Sequence, residues 1–506
     1  MRKTIRVLFL VLVALTVIFA LMACNTEGDK KASDNLGGDD SARTAGDADG
    51  SEKSEFQPAD EKFTGYEFRV YNLMSFGQSA WVALDYSEVQ PEVLNADPIN
   101  DAIFNRNKQV EDVYDITIKE VQFGERLEDM GVSISKVITM MQAGEDLFDA
   151  GLINGNSMPQ LFALKTAMYD LKALPEIDLS KSWWDQNSVE GFSLGGKLYS
   201  ATGDITIWHT LASAVFYFNK KLIEDNSLES PYNLVRSGEW TWDKMSEMAR
   251  DVTKDTSGDG KIDREDQIGI TSEDGTMLES IFCAGERLTT KDENDMPVLN
   301  TNFDRINAVL DKAMPILRSA DYAYASSDLY GRYPNPYFYF TMPKFKDSTV
   351  LFYTQQLMVA LNLREMEADF GIVPFPKLDK NQDKYYSVAT NHFLKYAWIP
   401  TTNATPGKAG YILDAMAYYS QQMVTPAVMG VTITSKALRD EESLEMLKII
   451  LENRVYDLAT IYHWGTIGAP YAAVYTKKTN NFSSEFEKIR IQVETAIQET
   501  IDDLSN

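Results

Sequence analysis

In the segment 255 to 266, Asp255, Ser257, Asp259, Lys261, Asp263 and Asp266 occupy positions 1, 3, 5, 7, 9 and 12 of a twelve-residue loop, with Gly260 at position 6. That spacing of oxygen donors is the pattern of a calcium loop, so one structural Ca2+ is expected there. Aspartate in place of glutamate at position 12 has a shorter arm, and modest affinity follows. The competing reading is a glycine-rich acidic turn that binds nothing specific; on either reading the loop follows a helix and is structural.

A second set of residues could hold a sugar. A sugar ring offers a face of C–H groups that stacks on an aromatic ring, while its hydroxyls need amides and carboxylates. Residues 197 to 218 read as a long strand-rich stretch, and alternate residues of a strand share a face, so Asp204, Thr206 and Trp208 are expected on one surface with His209 beside them. The competing place for Trp208 is the core. Gln355 and Gln356 follow the apolar run Val350 to Tyr353, Asn154 opens the turn Asn154-Gly155-Asn156, and His392 adds an imidazole. Trp81 after the first strand and Trp464 after a long helix complete the candidate set. Trp240 and Trp242 flank a helix start, where packing is the expectation.

Two specific catalytic signatures are missing: there is no H-E-x-x-H helix and no phosphate-binding G-x-x-x-x-G-K-[ST]. Two carboxylates could serve a glycosidase, but with 75 acids in the chain a pair can always be imagined. Two cysteines, Cys24 and Cys283, and three histidines leave little for a disulfide scaffold, a zinc site or histidine-metal catalysis. The net charge of −27 repels a phosphate backbone and argues against nucleic acid as a partner.

The elements that must position these residues alternate in type. Tyr66 to Tyr71 alternates as a strand, Ile103, Phe104, Val110 and Val113 recur at helical spacing, Ile116 to Ile118 is strand-like, and Ile134 to Met141 is helical. Leu147 to Ile153 reads as a buried strand, Trp242 to Val252 as a helix, and Leu444 to Ile461 as one long helix. Strands alternating with helices imply an α/β fold with mostly parallel sheets and ligands at the carboxyl ends of the strands. With 506 residues, two or three domains are expected.

Arg2, Lys3 and Arg6 precede an apolar run from Val7 to Met22 broken only by Thr16, the order of a secretory signal. Leu21-Met22-Ala23-Cys24 resembles the bacterial lipobox, which implies cleavage after residue 23 and lipidation of Cys24; an uncleaved membrane helix is the alternative. From Asn25 to Asp60 the chain has ten acids, four bases, five glycines and one aromatic residue. Such a segment cannot bury enough surface to fold and reads as a tether.

The order of motifs resembles the solute-binding proteins of ABC importers, family 1, the sugar-binding lipoprotein type. The resemblance rests on the lipobox and tether, on Gly196-Lys-Leu-Tyr199 leading to Phe216-Tyr217-Phe218-Asn219-Lys220, on Trp240-Thr-Trp-Asp243, on Asp255 to Ile262, and on Phe370 to Lys377. It implies two lobes in a type II periplasmic-binding-protein-like fold, joined by crossing strands near 200 to 212, 384 to 392 and 428 to 434. The expected organisation is a signal peptide at 1–23, a tether at 24–60, one lobe from 61–203 plus 391–430 and the other from 204–390 plus 431–506. The implied function is capture of a small polar solute, an oligosaccharide foremost, by a non-enzymatic monomer on the outer face of the bacterial cell membrane. Its partners would be ABC permease subunits and, through the lipid, the membrane. The alternative is a surface lipoprotein hydrolase acting on glycans.

Overall fold

The computed structural model describes residues 56–60, 62–73, 87–124, 130–273, 275–433 and 441–505. Cys24 and Trp81 lie outside the described residues. Local chemistry sets the elements. Asp97 accepts the N–H groups of Ile99 and Asn100, Pro98 fills the first turn, and Asp115 closes the helix Pro98–Tyr114 in the left-handed region. Ile99, Ile103, Val110 and Tyr114 put one face of that helix into the core. Trp242–Val252 is built likewise: Thr241 caps it, and Trp242, Met245, Met248, Ala249 and Val252 face inward. Trp240 and Trp242 are both buried, as the packing reading expects.

The described strands are β1 (Tyr66–Asn72), β2 (Ile116–Val121), β3 (Ala150–Asn154), β4 (Ala214–Asn219), β5 (Ile268–Ser272), β6 (Thr289–Lys291), β7 (Pro297–Leu299), β8 (Ala323–Ala325), β9 (Val350–Gln356), β10 (Phe370–Val373) and β11 (Lys395–Trp398). They form two principal sheets, ordered β11-β3-β1-β2 and β10-β4-β9-β5-β8, and a small β6-β7 hairpin. In the first sheet β1 runs parallel to β2 and β3, and β11 is antiparallel. In the second, parallel pairing is confined to β9-β5-β8, and β10, β4 and β9 pair antiparallel. Gly151 has to be glycine, because a Cβ there would lie 2.4 Å from Nε1 of Trp398.

The chain passes between the sheets along two described segments, 202–213 and 390–394. Ala201 bridges Ala397 at the end facing the first sheet, and Ser213 bridges Ala389 at the end facing the second. Three expectations fail here. The stretch 197 to 218 is not one strand: β4 starts at Ala214, and Trp208–Leu211 is a helical turn. Thr206 accepts the N–H of Trp208 through its own hydroxyl, and the Asp204 N–H goes to the Trp183 carbonyl, so local bonds replace a ladder. Asp204, Thr206 and Trp208 therefore share no strand face.

Residues 428 to 433 continue the helix Thr425–Ile433, where packing on Pro98–Tyr114 outweighs the β-branched character of the segment. The long helix expected to Ile461 stops at Glu452. Ser387 pulls the chain out of it, donating to Asn453 O at 3.0 Å and accepting from Val455 N at 2.8 Å.

Candidate ligand-binding cleft

Three strand ends and one crossing segment meet at a single opening. β3 ends at Asn154 and turns through Gly155–Ser157; β5 ends at Ser272, ahead of Glu273; β9 ends at Gln355 and Gln356. The turn after β3 is tied to the crossing segment by Gly155 N to Leu394 O (3.2 Å) and Asn156 N to Asn391 O (3.1 Å). Between them lies a cavity of about 600 Å³ lined by Asn156 from the first lobe, by Thr390, His392 and Phe393 from the crossing, and by Glu273, Glu279, Gln355 and Gln356 from the second. A neighbouring space of about 430 Å³ shares Asn156, Glu279, Thr390 and Tyr471 with it. Ligands are expected at the carboxyl ends of strands in such sheets.

The aromatic wall is one that the search for tryptophans missed. Tyr330, Tyr333, Tyr337, Phe338, Tyr339 and Phe340 crowd one short segment, a density visible in the sequence. Phe340 and Thr341 anchor it inward, Thr341 through a 2.8 Å hydroxyl contact with Ser326. Tyr337–Thr341 forms a single π-helical turn, a local widening that recurs at functional sites. Tyr330, Tyr337 and Phe338 line the cavity, with Tyr330 and Tyr337 edge to face at 5.7 Å and Tyr330 left 55% exposed.

Gln355 donates to Glu273 at 3.2 Å, which orients both groups at the end of β9. Asn154 is buried and does not line the opening: its amide donates to the His392 carbonyl at 2.8 Å, and its buried Oδ1 has no partner. Burial lowers the His392 pKa below the ordinary histidine value.

The remaining candidates lie away from the cavity wall. Thr206 donates to Glu88 at 2.7 Å. Trp208 is 2% exposed and stacks on Phe393 at 5.9 Å, behind the wall that Phe393 itself forms. Asp204 accepts from Gln421 (3.0 Å) and Thr425 (2.6 Å); burial raises its pKa against the lowering influence of His209 and those two bonds. His209 meets Asp185 at 2.8 Å. Trp464 donates to Thr500 at 2.8 Å, stacks on Tyr462 and lines a separate groove against the C-terminal helix Phe482–Ser505. Of the tryptophans outside the candidate set, Trp183 and Trp184 both donate to Asp414 Oδ1 at 2.8 Å.

In the acidic loop the carboxylates bond to the loop itself. Asp255 accepts from Gly258 N (2.6 Å), Gly260 N (2.8 Å) and the Ser257 hydroxyl (3.2 Å); Asp266 accepts from Thr256, Ser257 and Asp263 N–H groups. Backbone N–H donors hold both carboxyls below the usual carboxylate range. Asp259 and Asp263 accept from Lys261 N and Glu265 N. Among the described residues no three acidic, histidine or cysteine side chains converge as metal ligands.

Neither a family model nor a curated protein matches the sequence. Solved structures do. The GacH receptor of Streptomyces glaucescens, determined unliganded and with acarbose, aligns over 85% of this chain and 99% of its own at 11% identity and TM-score 0.55. UgpB from Mycobacterium tuberculosis, in complex with glycerophosphocholine, aligns over 86% and 99% at 13% identity and TM-score 0.53. A cyclo/maltodextrin-binding protein complexed with maltotetraose aligns over 90% and 98% at 13% identity and TM-score 0.53. The chain has the two-lobed type II periplasmic-binding-protein fold. In this two-lobed fold the cavity at Asn156, His392 and Gln355 is an interlobe cleft.

Proposed function

We propose that the protein is a receptor that encloses a small polar solute, an oligosaccharide, between its lobes and delivers it to an ABC permease. The observation that carries this reading is the composition of the cleft. Amides from both lobes and carboxylates from the second face a wall of tyrosine and phenylalanine, which suits a ligand with apolar ring faces and a hydroxyl edge. The sugars bound by GacH and by the maltodextrin-binding protein support the same ligand class. A solute touching Asn156 on one lobe and Gln355 on the other gains contacts on closure that an open form lacks, and this differential affinity drives closure. A thermal-shift screen of sugars followed by calorimetry tests the reading. Saturable one-to-one binding is expected, with the sugar recovered unchanged; cleaved sugar would identify a glycan hydrolase instead.

Residues 1–23 act in this proposal as a cleaved signal, Cys24 as the lipidated N-terminus and 24–60 as a tether to the outer face of the membrane. Cys24→Ser should release the protein from cells, and retention of a full-length membrane form would contradict lipidation. The 255–266 loop would take Ca2+ after Asp259 and Asp263 turn inward toward Asp255 and Asp266. Calcium should then raise the melting temperature, and Asp259→Ala should abolish the rise; a calcium-independent melting curve leaves an acidic turn.

A further inference from the structure

The cleft carries acids and, among its described lining residues, no lysine or arginine. Glu273 and Glu279 stand on the second-lobe wall, and Glu279 is only 8% exposed. His392 and His463 line the paired cavities, and burial lowers the pKa of each, which disfavours their charged form. The other polar groups there are amides and hydroxyls, which serve a neutral partner as donor or acceptor. A separate cavity of about 300 Å³ has Arg287, Lys291 and Arg454 in its lining beside Glu190 and Asp457, so it pairs bases with acids where the cleft has acids alone among its described lining residues. A chain of net charge −27 adds a field of the same sign as the cleft.

We infer that the cleft selects by charge: it takes glycans that are neutral or amine-bearing and turns away those that carry carboxylate or phosphate. This rests on the receptor reading above. A uronate entering the cleft would give up its hydration beside two carboxylates and meet no described base. Hydroxyl groups lose little, because the same carboxylates accept their hydrogen bonds. An ammonium gains charge-assisted bonds to Glu273 or Glu279 and the ring faces of Tyr330 and Tyr337.

The full chain is to be titrated by calorimetry with maltotriose, the fully deacetylated glucosamine trimer and a uronate trimer, with choline as a cation that is not a sugar. The neutral or amine-bearing trimer should bind at least one hundredfold more tightly than the uronate, and the Glu273→Gln/Glu279→Gln variant should narrow that gap at least tenfold. Should that variant fail to fold, raising salt to 0.5 M should narrow the gap in the parent protein by screening. Uronate binding as tight as that of maltotriose would overturn charge selection and leave the sugar receptor standing. Binding of choline with no trimer would do the reverse, and no binding by any of the four would overturn both.

Discussion

Two polar regions flank the crossing segments, and they differ in where their hydrogen bonds go. In the cleft, Gln355, Gln356 and Glu273 line an open volume beside the exposed ring of Tyr330 and the half-buried ring of Tyr337. Behind it, polar groups are spent on one another. Lys395 bonds to Glu88 and, at 2.6 Å, to Asn72; Glu88 also receives the Thr206 hydroxyl, and Arg106 donates to the Glu88 carbonyl. Asp185 holds His209 and the Tyr456 hydroxyl, while Arg454 donates to the His209 carbonyl and to Ser213. Side chains of one chemical kind thus divide into a surface able to meet a ligand and a clamp that sets the path between the lobes. Residue type does not separate them; their position on or behind the cavity wall does.

The largest test of that division is Lys395→Met. It strands the Glu88 carboxylate in the interior, and loss of one partner from a buried pair costs about 3–5 kcal/mol, readable by urea unfolding. A cost near that of a surface pair would mean that the clamp is not load-sharing. Trp208→Ala should come next, lowering stability by about 3 kcal/mol through the cavity it leaves. Tyr337→Ala, on the cleft wall, should leave stability within about 1 kcal/mol and instead weaken the best sugar of the panel at least tenfold. Reversal of that pair of outcomes would return Trp208 to the ligand site.

The smallest effect is in pH. Burial alone would raise the Asp185 carboxyl, but the hydrogen bond and charge of His209, with Arg454 and Tyr456, hold it down to about 2 from 3.8. A depressed carboxyl contributes stability that is present above pH 4 and lost as pH falls from about 4 to about 2, on the order of 2 kcal/mol. Asp185→Asn should flatten that limb of the urea-midpoint curve between pH 5 and pH 2.

Much of the fold could be read before the coordinates. β1, β2 and the helices Pro98–Tyr114 and Trp242–Val252 lie where periodicity put them, because each buries one face and its sequence repeats at the matching period. Gln355, Gln356 and His392 were found from their places at strand ends and on a crossing, and they line the cavity. Asp204, Thr206, Trp208 and His209 were misplaced because alternation suggested a strand where the Thr206 hydroxyl and the Trp183 carbonyl bend the chain into a turn. The tyrosines of 330 to 339 were passed over for the larger indole rings, five of which are fully buried here: Trp183, Trp184, Trp240, Trp242 and Trp398.

By itself the sequence determined the alternation of strand and helix, the acidic charge and the absence of an H-E-x-x-H helix and of a phosphate-binding glycine loop, because these depend on residue type and on spacing within one element. Tertiary structure decided which polar residues remain open to a ligand. Asn156, His392, Gln355 and Tyr337 are far apart in the chain and meet only when two sheets are joined by their crossings. Thr206 and Lys395, no less polar, are buried by the same joining, since Glu88 lies between them and takes a hydrogen bond from each.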